Sequence, residues 1–96
     1  MATRVTINDI KPRWNGTEGQ YIFLFTLTFD DTLLIGGPTF QKTEEIAMPA
    51  YYTGADLTAF AAKVSNMINT ELNHFDKMFQ CYKNLGINKG DTRTKA

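Results

Sequence analysis

The feature that most constrains the fold of this chain is an apolar stripe at helical spacing in its second half. The steps of the stripe alternate between three and four residues, which places the side chains along one face of a helix. The mean step is close to the roughly 3.6 residues of a helical turn, so the pattern predicts a helix lying on a core and not a long coiled-coil seam. The stripe consists of Leu57, Phe60, Ala61, Val64, Met67, Ile68, Leu72, Phe75, Met78, Phe79, Tyr82 and Leu85.

The sequence also indicates where this helix begins and ends. Thr53 is a candidate N-cap, and Asp56 three residues later supplies the acidic member of a capping box. Gly86 suits the left-handed conformation that commonly follows the last helical turn. A helix from Thr53 to about Leu85 is roughly 48 Å long at 1.5 Å per residue. It either breaks near residues 66–73, where helix propensity is weakest, or stays continuous. The stripe keeps its phase across this region, so we favour a continuous or mildly kinked helix.

The first half of the chain has the pattern of a β-sheet. Tyr21–Phe29 is the strongest strand, because Tyr21, Phe23, Phe25, Leu27 and Phe29 fall on one face of it. This aromatic face is expected to lie under the helix, with Phe23, Phe25 and Leu27 packing on Phe60, Val64 and Ile68. The other predicted elements are a short strand around Val5 and Ile7, a loop at residues 11–20, a turn at Asp30–Asp31, a strand at residues 32–35 and a charged edge strand at residues 40–48.

Together these patterns predict an α+β fold: an antiparallel sheet of three to four strands packed against one long C-terminal helix. Residues 1–96 form a single domain, because 96 residues suffice for one modest core and not for two. Residues 88–96 form a polar C-terminal tail. The single Cys81 excludes a disulfide within the chain, so packing must hold the fold together.

The composition argues against several classes of function. Ten basic residues balance ten acidic ones, and this net charge of zero lacks the electrostatic footprint of a dedicated nucleic-acid binder. It also favours self-association more than a highly charged surface would. No apolar run approaches the length of a membrane span, and the N-terminus lacks the apolar core of a signal peptide. We therefore expect cytoplasmic synthesis, no membrane insertion and no nucleic-acid partner.

No group of residues identifies a chemistry. His74, the only histidine, shares one flank of the predicted helix with Glu71, Met78 and Cys81, and these residue types can bind a soft metal. None of their spacings is usual for zinc, and a flank of the core stripe explains the same residues. Cys81 lies near the C-terminal end of the helix, where the helix dipole disfavours a thiolate. We expect no catalytic site, no cofactor and no metal.

Two regions are candidates for binding a partner. Trp14 is the only tryptophan and follows Arg13, and both residue types are enriched at binding sites; the alternative is that Trp14 closes an open end of the core. The second half of the long helix carries more apolar surface than a small sheet covers, and exposed apolar patches usually mark contacts with other chains. The slightly basic tail is expected to lie along the same neighbour. The predicted partner-binding residues are Arg13, Trp14, Phe75, Phe79, Tyr82, Lys89 and Arg93.

The functional hypothesis is a non-enzymatic interaction or structural subunit of a larger protein assembly, either a homo-oligomer or a hetero-oligomer. A virus or phage particle component would fit this description. The alternative is a small monomeric inhibitor or ligand-binding protein that acts on another macromolecule through Trp14 and Tyr51–Tyr52. A small enzyme ranks third. The size of the protein in solution separates the first two hypotheses, since an assembly subunit should oligomerise and an inhibitor should be a stable monomer.

Overall fold

The computed structural model describes residues 3–95, which form three strands followed by one helix. The strands make one antiparallel sheet in the order β1-β2-β3, so β2 is the central strand. The helix packs on one face of this sheet. The α+β arrangement predicted from the sequence is confirmed, with three strands in the sheet. The elements are β1 (Thr3–Asn15), β2 (Gln20–Asp31), β3 (Phe40–Pro49) and α1 (Gly54–Lys83).

The core lies between the aromatic face of β2 and the helix, as the alternation in the sequence predicts. Leu27 and Phe29 are fully buried there, and Phe25 is nearly so. The Phe29 ring stacks on Phe75 of α1 with centroids 4.2 Å apart. Nearer the other end of β2, Phe23 contacts Phe60 edge-to-face at 5.3 Å. These ring contacts fix the helix over the central strand.

The predicted strand at residues 32–35 is wrong, because this segment is a series of turns between β2 and β3. The Asp31 carboxylate accepts a hydrogen bond from the Leu33 backbone N–H at 2.9 Å, and the Asp31 carbonyl accepts one from Leu34 N–H at 3.0 Å. Such local bonds compete with strand pairing. Asp30 and Asp31 are the last residues of β2 and not the turn itself. The predicted edge strand at residues 40–48 is confirmed as β3.

The predicted loop at residues 11–20 is also wrong. β1 continues to Asn15, which pairs with Gln20, so only residues 16–19 make the turn. Pro12 lacks a backbone N–H, but β1 is an edge strand and a proline is tolerated there. The pairing of β1 with β2 shifts between Ile7 and Asp9, which marks a β-bulge at Asn8. Asn8 donates a side-chain hydrogen bond to Thr28.

Helix α1 is continuous over 30 residues and has no break at residues 66–73. The predicted capping box is present: Asp56 N–H donates to Thr53 Oγ1 at 3.2 Å, and Thr53 N–H donates to the Asp56 carboxylate at 2.8 Å. Gly86, with φ of 74°, adopts the left-handed conformation predicted after the last turn.

The second half of the helix does not project beyond the sheet, in contrast to the prediction. The twelve residues of β2 extend roughly 40 Å at 3.3 Å each, and the helix is about 45 Å long. The two elements are therefore matched in length. Phe75 and Phe79, predicted to lie on an exposed partner-binding face, are only 8% and 0% exposed and belong to the core of this chain. The prediction that Phe75 and Phe79 are exposed is wrong, because β2 and β3 are long enough to cover them.

The helix covers the sheet unevenly. Its C-terminal half contacts both edge strands, because Asp76 accepts a hydrogen bond from Thr3 of β1 at 2.6 Å and Glu71 accepts one from Lys42 of β3 at 2.7 Å. Its N-terminal half packs on β2 and β3, where Phe60 meets Phe23 and lies beside Met48. The second half of β1 is left open on the side of the sheet that carries the helix.

Truncating Phe79 should cost far more stability than truncating its half-exposed neighbour. Phe79→Ala removes a fully buried ring that packs near Phe40, so we expect the free energy of unfolding to fall by about 3–5 kcal/mol. Tyr82→Ala, one turn later on the helix, is the control and should cost about 1 kcal/mol or less. Chemical denaturation of both variants measures the difference. Equal losses in the two variants would contradict the assignment of Phe79 to the core.

A buried ion pair joins the end of the helix to the end of the central strand. Lys83 Nζ lies 2.7 Å from Asp31 Oδ2, and the Asp31 side chain is fully shielded from solvent while that of Lys83 is 29% exposed. The hydrogen bond from Lys83 lowers the pKa of Asp31 below its ordinary value; burial opposes this effect, and the Leu33 N–H adds to it. A carboxyl group whose pKa is lowered on folding stabilises the folded state only while it is ionised.

This ion pair should make stability fall in acid. Its contribution is present above the ordinary carboxyl pKa of 3.8 and is lost as the pH falls through that value towards the lower pKa of the folded state. Asp31→Asn should therefore lower the free energy of unfolding at neutral pH and differ less from the wild type at about pH 3. Asp9→Asn, on an exposed pair with Lys11, is the control. Urea denaturation at both pH values tests this, and a pH-independent difference would contradict it.

Candidate interaction surface

The second half of β1 carries apolar side chains on the helix-bearing face of the sheet. Cross-strand partners lie on the same face, and Ile10 pairs with Phe25, Pro12 with Phe23 and Trp14 with Tyr21. The bulge at Asn8 makes this possible, because one extra residue shifts the alternation of the strand. Without the bulge, Ile7 and Ile10 would point to opposite faces of the sheet.

These side chains continue the core face beyond the area that the helix covers. The Trp14 and Tyr21 rings are in contact, with centroids 5.2 Å apart. Next to them, Tyr21, Tyr52 and Leu57 line a groove of about 210 Å³ whose floor is Phe23, Met48 and Phe60. We call the exposed apolar residues of this region the helix-side patch; they are each 41–56% exposed, and they are Ile7, Ile10, Trp14, Tyr21, Tyr52 and Leu57.

The outer edge of β1 is poorly suited to accept another strand. Pro12 has no backbone N–H to donate, and the Ile10 N–H is already bonded to the Asp9 carboxylate at 2.9 Å. The bulge at Asn8 further interrupts the strand. Natural sheets use these same features to block pairing with another chain. A partner at this surface would therefore bind through side chains of the helix-side patch.

The opposite face of the sheet carries charged residues that are paired, around Ile22 and Leu24 of the central strand. Arg4 makes a bidentate contact with Asp30, which lowers the pKa of that carboxyl group. Arg13 lies 3.3 Å from Glu45, across the central strand. Arg13 and Trp14 thus lie on opposite faces, because neighbouring residues in a strand alternate. The structure does not bring this predicted pair of partner-binding residues together.

A second apolar region lies at the far end of the molecule. Tyr82 is 44% exposed and, with Leu85, Ile87 and Lys89, lines an open cleft of about 650 Å³. The structure therefore places the predicted residues Tyr82 and Lys89 in one cleft. Arg93 is exposed in the following segment, which contains neither helix nor strand.

Sequence patterns could not identify most of the helix-side patch. Trp14 was predicted as an interaction residue, and Tyr52 belonged to the alternative binding surface. The sequence did not predict a binding role for Ile7, Ile10 or Tyr21. The predicted loop at residues 11–20 concealed the continuation of β1, and simple alternation placed Tyr21 under the helix. The available signal was the apolar alternation of Ile10, Pro12 and Trp14, which continues that of Val5 and Ile7 only once a bulge at Asn8 is included.

Groups that could carry chemistry are dispersed. His74 and Cys81 are both exposed on the helix. Within residues 3–95, no three His, Cys, Asp or Glu side chains are placed to hold a metal ion together. No helix in that same range has both the length and the hydrophobicity needed to cross a membrane. Comparison of the chain with protein-family models, curated proteins and solved structures finds no match.

The glycines of the β1–β2 turn provide a test of how Trp14 is held. A Cβ atom at Gly16 would lie 3.2 Å from Trp14 Nε1, so Gly16→Ala should displace the indole and change its fluorescence and near-ultraviolet circular dichroism. Because the indole is half-exposed and can move, stability should change by less than about 0.5 kcal/mol. Gly19→Ala is the contrasting variant: its φ of 62° should cost about 1 kcal/mol while the Trp14 signals stay unchanged. Identical tryptophan spectra for Gly16→Ala and the wild type would contradict the packing described.

Proposed function

We propose that this protein is a non-enzymatic interaction subunit of a larger protein assembly and that it binds its neighbour through the helix-side patch. The observation that carries the proposal is a contiguous apolar surface on the core face of the sheet, where the helix leaves β1 open. Trp14 and Tyr21 form its centre, and large aromatic side chains of this kind dominate the binding energy of protein interfaces. An extended exposed apolar surface on a small domain usually marks a binding site.

The shape of the patch favours a protein partner over a small molecule. Its groove of about 210 Å³ is smaller than the roughly 300–1,000 Å³ of typical ligand pockets. The rest of the patch is an open surface along β1, which suits a second layer of side chains. The assembly we propose forms in the cytoplasm; the virus or phage particle considered from the sequence has no support in the fold.

A monomeric inhibitor that acts on another macromolecule is the second candidate. It is favoured by the same aromatic surface, because Trp14, Tyr21 and Tyr52 lie close enough to form one binding face and Tyr51 beside them is 85% exposed. The two functions differ in what the protein does on its own. An inhibitor would remain a monomer until it meets its target, whereas an assembly subunit forms stable complexes of fixed composition.

The test is the mass of the complex that the protein forms in its natural source. Native mass spectrometry of the tagged full chain should find it in a complex of fixed composition, well above the 10.9 kDa of the chain alone. Trp14→Glu should reduce the recovered complex at least about tenfold, because the charge would be buried without a partner. Leu33→Glu, a matched apolar-to-acidic change at an exposed site at the other end, should leave it intact. Recovery of the monomer alone would contradict an assembly role.

A further inference from the structure

We propose that the helix-side patch binds a second copy of this chain in an isologous contact, in which each copy contributes the same patch. This inference rests on the proposed function, since it names the partner at the same surface. In such a contact every residue near the two-fold axis faces itself or a close neighbour from the other copy. A surface suited to it must therefore be apolar and free of like charges at its centre.

The charge distribution of the patch meets this condition. None of its six residues is charged. The flank of α1 that faces β1 can be located from Asp76, which bonds to Thr3 of β1, and the part of this flank before Asp76 is also uncharged. Residues seven, eleven, fourteen and eighteen positions before Asp76 lie on the same flank of the helix. They are small, exposed and uncharged, namely Asn69, Ser65, Ala62 and Thr58.

The area of the patch is close to what a stable dimer needs. Its three aromatic and three aliphatic side chains, each about half exposed, present about 600 Å² in total, given that an aromatic side chain has roughly 150–250 Å². Each partner in a standard interface contributes about 800 Å². The small residues along α1, together with Pro12 and Tyr51, lie beside the patch and can supply the remainder. Small side chains on this flank would let the two copies approach closely.

Other occupants fit the patch less well. A nucleic acid would require a basic surface, and none of the six patch residues is basic. An added strand would meet an edge blocked by Pro12 and by the bond between Ile10 N–H and Asp9. A strongly charged protein would find no opposite charge at the centre of the patch. The chain itself carries a net charge of zero, so two copies experience little overall repulsion.

The experiment is sedimentation equilibrium of the full chain across a wide concentration range, with Trp14 as a built-in probe. Trp14 is the only tryptophan and lies in the patch, so its emission should move to shorter wavelengths as the dimer forms and the indole is buried. The wild type should approach twice the chain mass of 10.9 kDa over the same concentrations.

Two matched variants locate the contact. Ile10→Glu places a charge in the patch, keeps Trp14 and changes a residue that is already 50% exposed. It should weaken dimerisation at least about tenfold and abolish the shift in Trp14 emission. Ile35→Glu, at a 98% exposed site far from the patch, should dimerise as the wild type does. Circular dichroism confirms the fold of each variant, and Trp14→Glu, followed by sedimentation alone, replaces Ile10→Glu if that variant does not fold.

The outcomes separate this inference from the proposed function. A wild type that stays monomeric at all concentrations, or a dimer weakened by Ile35→Glu and not by Ile10→Glu, would overturn the second-copy contact. If the isolated chain is monomeric but Ile10→Glu disrupts its complex in the natural source, the patch binds a different protein and only the dimer inference fails. If that complex is unaffected by Ile10→Glu and the chain does not self-associate, both proposals fail.

Discussion

The stacking of Phe29 on Phe75 is the contact on which the rest of the structure depends. Phe29 is fully buried at the end of the central strand, and its ring lies 4.2 Å from that of Phe75. Phe40 from β3 closes on Phe75 and Phe79 from the other side, at 5.7 and 5.8 Å. One aromatic cluster thus joins the central strand, an edge strand and the helix. Because the helix is a single rigid element, anchoring it here determines where its other end lies.

The polar contacts reinforce the same end of the molecule. Asp76 bonds to Thr3 of β1, and Lys83 pairs with the buried Asp31 at the end of β2. On the other flank, Lys42 bonds to Glu71, a contact that raises the pKa of the lysine. The N-terminal half of the helix has fewer buried contacts, since the only buried residues of α1 among those described, Phe75 and Phe79, both lie in its C-terminal half. Regions with few buried contacts open at lower free energy, so the helix should open first near its capped start.

An element of this fold could be predicted from the sequence where its apolar residues follow a single, unbroken period. The helix could be predicted almost to the residue, because Thr53, Asp56 and Gly86 mark its ends through purely local backbone bonds. The face of β2 could be predicted for the same reason, since its alternation is unbroken. The length of β1 could not be predicted, because Pro12 normally interrupts a strand and is tolerated here only by virtue of the edge position. That position is a property of the whole sheet and not of the segment.

The candidate surface could be predicted only where a residue type stood out by itself. Trp14 did so, while Ile7 and Ile10 lie on one face solely because the bulge at Asn8 inserts one residue between them. The same limitation applied to Phe75 and Phe79. The apolar stripe showed that these side chains must be buried by something, but only the lengths of β2 and β3 show that the sheet of this chain buries them. The helix packs along the sheet so that Phe75 and Phe79 of its apolar stripe are buried, while Tyr82 at the end of the stripe stays half-exposed. The face of β1 that the bulge turns towards the helix stays uncovered as well, so one extra residue in an edge strand decides where the helix-side patch, the binding surface that we propose, lies.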